Sequence, residues 1–191
     1  MHPVDVAALL LRLILGIIML DHGWNHAFGG GKIPGTTRWF ASIGMRPAWV
    51  HAYVATLTEI GSGVLLLLGL LTPVAAAGVL GTMLVALVTA HLKNGFFIFR
   101  PGQGYEYVLM ICVVAVALGG IGAGWLSLDH VLGYPISGWV SYAVAAGAGG
   151  LGAALTLLTS WRPEPPAAAP AESVDTAPAA TEQGTESATT A

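Results

Sequence analysis

The chain has 191 residues, of which 55% are hydrophobic and only 9% charged, with a formal net charge of −3. A water-soluble domain of this length needs far more charge on its surface, so the composition excludes one and describes a chain made for lipid. The charge is also unevenly spread: five of the ten acidic residues (Glu164, Glu172, Asp175, Glu182, Glu186) lie beyond residue 162, where there is no Lys or Arg.

A bilayer core about 30 Å thick takes about 20 helical residues to cross. The N-terminus "MHPVD" has no basic n-region, and Arg12 interrupts the apolar run where a signal peptide should be uninterrupted, so the first apolar segment is expected to stay. It predicts a span over residues 4–20, ending in "LDHGWNHAFG". His22 and His26 stand at i, i+4, as two metal ligands would, but Gly23 and Asn25 predict fraying there. No metal is expected; were one bound, Asp21 or His91 would be its third ligand. Haem ligation is not expected either, since it needs histidines deep in facing helices. "GGGK" at residues 29–32 lacks the spacing of a phosphate loop and reads as a flexible exit. The first loop then holds an interfacial helix in "TTRWFASIGM", with Trp39, Phe40 and Ile43 forming its apolar face.

Spans two and three are predicted over 52–71 and 74–90, joined as a hairpin through Thr72 and Pro73. Arg12 near the middle of span one and Glu59 about eight residues into span two are charged groups deep within the membrane. Each costs several kcal/mol in lipid unless paired, and their depths counted from the first-loop side agree within a turn, so an Arg12–Glu59 ion pair is expected. The third loop, "HLKNGFFIFRPGQGYEY", carries glycines and a proline suited to a tight interfacial turn, and three phenylalanines able to dip into lipid. Span four is predicted over 105–122. Its Cys112, the chain's single cysteine, reads as a small core residue, since one thiol forms no internal disulfide. The glycines of "GGIGAG" do not fit a dinucleotide fingerprint. A fifth span over 136–158 is mostly Ala and Gly, with Ala145, Gly149 and Ala153 at four-residue spacing suited to close helix packing. Residues 163–191, rich in Pro, Ala, Thr, Ser and Glu, bury too little apolar surface to fold and form a disordered tail.

The expected fold is thus all-α: a polytopic membrane four-helix bundle over residues 1–162, with a fifth transmembrane helix and the tail. Lys32, Arg38 and Arg46 in the first loop, Lys93 and Arg100 in the third, and Arg162 after span five all fall on one side. The positive-inside bias makes that side cytoplasmic, placing the N-terminus outside and the tail inside. Antiparallel threading gathers His22, His26, His51, His91, Lys93, Asn94, Arg100 and Glu106 at that same mouth. An apolar floor with such a rim is the chemistry a quinone head needs: flat walls, donors for its carbonyls, and an imidazole or carboxylate to move protons.

Three stretches, "LLLRLILGIIMLDHGWNHAFG", "FASIGMRPAWVHAYVATLTEIGSGVLLLLGLLTPVAAAG" and "HLKNGFFIFRPGQGYEYVLM", resemble the DoxX family of small membrane proteins across roughly residues 6 to 130. The resemblance places the family's polar positions on Arg12, His22, Gly23, Glu59, Gly63, His91, Asn94, Gly95 and Glu106. His26, where such proteins more often have Lys, Ser62, and the added fifth span depart from the pattern. The resemblance implies a bacterial cell-membrane subunit of a quinone-linked oxidoreductase system, with no covalently bound cofactor and a protein partner supplying electrons. On that reading His22, Glu59, His91 and Glu106 carry the chemistry, and Asn94, Gly95 and Tyr105 contact the ligand. A scaffold that anchors an oxidoreductase, docked through the acidic tail and first loop, is the second reading. A small proton-coupled carrier or channel, which with so few helices would have to form a homo-oligomer, is the third. No nucleic-acid partner is expected.

Overall fold

The computed structural model describes residues 1–134 and 136–163. The expected tail beyond Pro163 lies outside the described residues. Seven helices follow one another among them: α1 (Pro3–Phe28), α2 (Lys32–Ser42), α3 (Ala48–Leu68), α4 (Thr72–Asn94), α5 (Glu106–Ile121), α6 (Leu128–Val131) and α7 (Trp139–Ser160). The fold is all-helical, and α1, α3, α4 and α7 are each long and apolar enough to cross a membrane. The shortest of the long helices is α5, at 16 residues, rather than the segment near the C-terminus.

The core lies where α5 meets the others. Val108, Ile111, Cys112, Ala115 and Leu118 of α5 pack with Leu15 and Met19 of α1, Leu66 of α3 and Val79 and Met83 of α4. Cys112 is a buried free thiol in this cluster. The outer faces carry large exposed apolar side chains, among them Leu10, Ile17, Leu57, Val113 and Leu158. Water would penalise such a surface, whereas lipid accepts it, and helices that satisfy their own backbone are what lipid allows. The protein is a multi-pass membrane protein.

Helix α1 continues eight residues past Leu20, through both histidines, and does not fray at Gly23. The reason is packing. Gly23 is buried on Ile60 and Glu59 of α3, and tertiary contact overrides the weak helix preference of glycine. Nearer the middle, Gly16 of α1 and Gly63 of α3 bring the two backbones together, since a Cβ on Gly63 would stand 2.9 Å from the Gly16 carbonyl oxygen. Helix α3 ends at Gly69, whose left-handed backbone (φ 64°) closes it with Leu70 N–H donating to the Leu65 carbonyl at 2.9 Å. Helix α4 starts immediately after, with Pro73 in its first turn.

That register overturns the expected Arg12–Glu59 pair. Arg12, 1% exposed, lies level with the α3–α4 turn: its guanidinium donates to the carbonyls of Leu66, at 3.2 Å, and Leu126. Asp129, also buried, interacts with it electrostatically and accepts from the backbone N–H groups of Leu71 (2.8 Å) and Thr72 (3.1 Å). Glu59 sits near the other end of the α1–α3 contact, opposite Gly23. The depth count went wrong because α1 extends to Phe28, which moves Arg12 about two turns further from the first-loop end.

The interfacial helix of the first loop is present as α2, but its apolar face is not laid on the membrane as expected. Phe40 is only 6% exposed and turns into the protein, while Trp39 remains exposed. Two further irregularities matter for the site. The last turns of α4 widen to a π-helix over Leu87–His91 and tighten to a 3₁₀ turn over Leu92–Asn94, and α7 contains a π-helical stretch over Ala143–Ala148.

Candidate functional site

The C-terminal ends of α1 and α4 and the N-terminal ends of α3 and α5 surround a cavity of about 1050 Å³, and α2 covers its mouth. Its walls are mainly apolar, with Ala55, Met83, Ala86 and Val108 facing it. A small set of polar groups interrupts them. His26 of α1 approaches Glu59 of α3 with Nδ1 2.9 Å from Oε2. Glu59 is 2% exposed, and neither atom reaches hydrogen-bonding geometry with any protein group. His51 Nε2 is likewise buried and without a hydrogen-bond partner. Phe40 of α2 packs between the two imidazoles, its ring 6.2 Å from that of His26 and 6.5 Å from that of His51.

Local structure positions each group. His26 lies four residues beyond His22, so both fall on the side of α1 that faces the cavity. Thr36 of α2 donates its hydroxyl to the His26 carbonyl at 2.9 Å, which ties the cover to the end of α1. The π turn of α4 delivers His91, whose Nδ1 donates to the Gln103 carbonyl at 3.1 Å. That bond fixes the ring's orientation and leaves Nε2 free of it. Tyr107 and Gln103 complete the rim.

Of the residues singled out from sequence, His22, Glu59 and His91 are brought together on this cavity. Glu106 opens α5 and is not among its lining residues. Asn94 holds the α4–α5 loop: its Nδ2 donates to the carbonyls of Ala90 (3.0 Å), Gly102 (2.6 Å) and Gln103 (3.1 Å). Gly95 turns that loop with φ 80°, and Tyr105 sets its ring edge-on to Phe96, 5.4 Å away. None of these three lines the main cavity. Sequence reasoning placed His26 and His51 at this mouth without giving either a chemical role, and placed Phe40 on a membrane-facing surface. The signal for His26 was the i, i+4 spacing from His22, discounted on the expectation of fraying. Among the described residues, no group of three or more His, Cys, Asp or Glu side chains is arranged to hold a metal ion.

Comparison with known proteins covers this region. A protein of Bacillus subtilis (strain 168) named "Putative oxidoreductase CatD" is 34% identical over 125 residues, 65% of this chain and 86% of that protein. No solved structure matches the chain. The DoxX family profile matches residues 7–92, the stretch that holds Arg12, His22, His26, His51, Glu59 and His91. With that match and that relative, the chain belongs to the DoxX family.

Proposed function

We propose that this protein is the membrane subunit of a quinone-linked oxidoreductase system and that its cavity binds the quinone head. The observation that carries the reading is the buried His26–Glu59 pair facing an otherwise apolar cavity. Ligand sites for flat apolar molecules combine such walls with a few convergent polar groups. A carboxyl and an imidazole in contact can hold and pass protons near neutral pH.

Reducing a quinone to a quinol takes two electrons and two protons. On this reading a partner oxidoreductase supplies the electrons, and the His26–Glu59 pair relays protons from water at the α2 side to the ring oxygen it faces. The oxidoreductase name of the Bacillus subtilis relative supports a redox role. All the Lys and Arg residues but Arg12 fall at the α2 end, which the positive-inside bias assigns to the cytoplasm of a bacterial cell. An electron-donating partner would dock there.

Trp39 lines the cavity and reports on it. Protein in lipid nanodiscs is titrated with 2-methyl-1,4-naphthoquinone and its tryptophan fluorescence followed. Saturable quenching that weakens at least tenfold in Glu59→Gln and His26→Ala is expected. Quenching that never saturates, or that both variants leave unchanged, overturns the reading.

A further inference from the structure

The cavity is larger than a ring head requires. Its volume of about 1050 Å³ matches the upper end of the roughly 300–1,000 Å³ that encloses whole drug-sized ligands. The excess lies in one direction. Beyond the His26–Glu59 pair, the lining passes between Thr58 of α3 and Gly78 and Gly81 of α4, then runs outward along Gly149, Gly152 and Thr156 of α7.

Helix α4 packs against both α3 and α7, while α3 and α7 make no extensive contact with each other. A cleft is therefore left between them, floored by α4. At the basic end it is closed by a strap. Arg46 N–H donates to the Ser160 carbonyl (2.8 Å), Arg162 N–H to the Gly44 carbonyl (2.7 Å) and Trp161 Nε1 to the Ile43 carbonyl (3.0 Å). Along the bilayer it is open, and the lining residues Val54 of α3 and Val74 of α4 are 54% and 52% exposed. From His91 to Val74 the α4 wall extends about 25 Å at 1.5 Å per residue. That is most of the thickness of a hydrocarbon core.

We infer that this cleft is a lateral portal: the ligand enters from the bilayer between α3 and α7, and its long apolar tail stays in the cleft while its head reaches Glu59. The inference rests on the quinone reading of the chamber and narrows the ligand to a membrane-resident, tailed quinone. Two independent observations meet here. Residues of α3, α4 and α7 line one continuous cavity, with open space at Gly152, and the polar atom of Glu59, 2% exposed and lacking a hydrogen-bond donor, lines that same cavity. Lipid solvates an apolar tail as well as the cleft does, so the cleft's contribution is a route and an orientation more than affinity.

Gly152 supplies the test, because a Cβ there meets nothing within 4 Å and a larger side chain enters open space. Binding of two probes is measured in nanodiscs by Trp39 quenching: the tailless 2-methyl-1,4-naphthoquinone and the same ring carrying a polyisoprenoid tail. The variants are Gly152→Phe, Thr82→Phe as a second plug rising from the floor, and Gly150→Phe, whose position is equally open but does not line the cavity. Both plugs should weaken the tailed probe at least tenfold and change the tailless probe less than twofold, with Gly150→Phe altering neither. If the wild type binds neither probe, the quinone reading falls and the portal with it. If it binds both and neither plug separates them, the chamber reading stands and the portal is overturned, the cleft then being seated by an ordinary acyl chain of the membrane.

Discussion

His26 Nδ1 stands 2.9 Å from Glu59 Oε2 across the α1–α3 interface. Two helices that lipid gives no hydrophobic reason to associate thereby meet through a polar contact at the inner edge of a cavity. The pair is partly wetted from the His26 side, whose side chain is 18% exposed against 3% for Glu59. Removing one partner leaves the other buried without compensation, at a cost of about 1–3 kcal/mol. A double-mutant cycle of His26→Ala and Glu59→Gln, read by unfolding in mixed micelles, should return a coupling energy of about 1–3 kcal/mol. A coupling near zero would mean that the contact is geometric only.

Arg12 answers to a different set of groups. Its guanidinium spans the carbonyls of Leu66 and Leu126 and faces Asp129. Arg12→Leu takes the donor from the Leu66 and Leu126 carbonyls and the nearby positive charge from the buried Asp129, which costs about 1–3 kcal/mol per group left unpaired. Arg12→Lys should recover only part, because a point charge does not reach two carbonyls as the planar fork does. The charge-swapped double variant Arg12→Glu with Glu59→Arg should fold no better than Arg12→Glu alone, as judged by monodisperse yield on size exclusion. Recovery of the double variant would restore the pairing that the register rules out.

The all-helical membrane fold and the antiparallel threading were legible in the sequence because apolar runs and turn residues are local signals. The mouth of His22, His51 and His91 followed from that threading alone. What escaped was everything set by register between helices. The length of α1 beyond Leu20 depends on Gly23 meeting Ile60, which no local propensity encodes. That one extension moved Arg12 away from Glu59, brought His26 to it, and removed the reason to discount the second histidine. Phe40 likewise read as a membrane-facing residue from its spacing, yet the cavity beneath α2 gave it a better place between two imidazoles.

Asp129 is the N-terminal cap of α4 supplied from outside that helix. Its two carboxylate oxygens accept from Leu71 and Thr72, satisfying donors that the first turn of a helix cannot satisfy itself. Asp129→Ala should cost about 1–2 kcal/mol from the lost cap. Part of the Arg12 penalty should disappear in the double variant Asp129→Ala with Arg12→Leu, since no buried charge then remains. Additive losses in thermal unfolding would show that the two residues act separately.

The direction of threading has its own test. The single cysteine is buried, so new thiols can be read against a low background. Lys32→Cys and Arg162→Cys should react with a membrane-impermeant maleimide only after right-side-out cells are opened, and Tyr134→Cys, at the opposite end, should react in intact cells. The reverse pattern would invert the orientation and put the docking end for a partner outside.

One close contact helps to set the position of the cleft's last wall. Helix α7 rests on α5 where Gly120 lies beneath the ring of Tyr142, and a Cβ at Gly120 would come within 2.0 Å of that ring. Gly120→Ala therefore forces either a shifted tyrosine or a separated α7, at a cost of about 1–3 kcal/mol for overpacking. Shortening the ring should relieve it, so Gly120→Ala with Tyr142→Ala is expected to be more stable than Gly120→Ala alone, although each single change destabilises. Such a sign reversal arises only if the two positions are in contact. If Gly120→Ala proves neutral in unfolding measurements, the Tyr142 ring moves aside without cost and Gly120 does not set how closely α7 approaches α5.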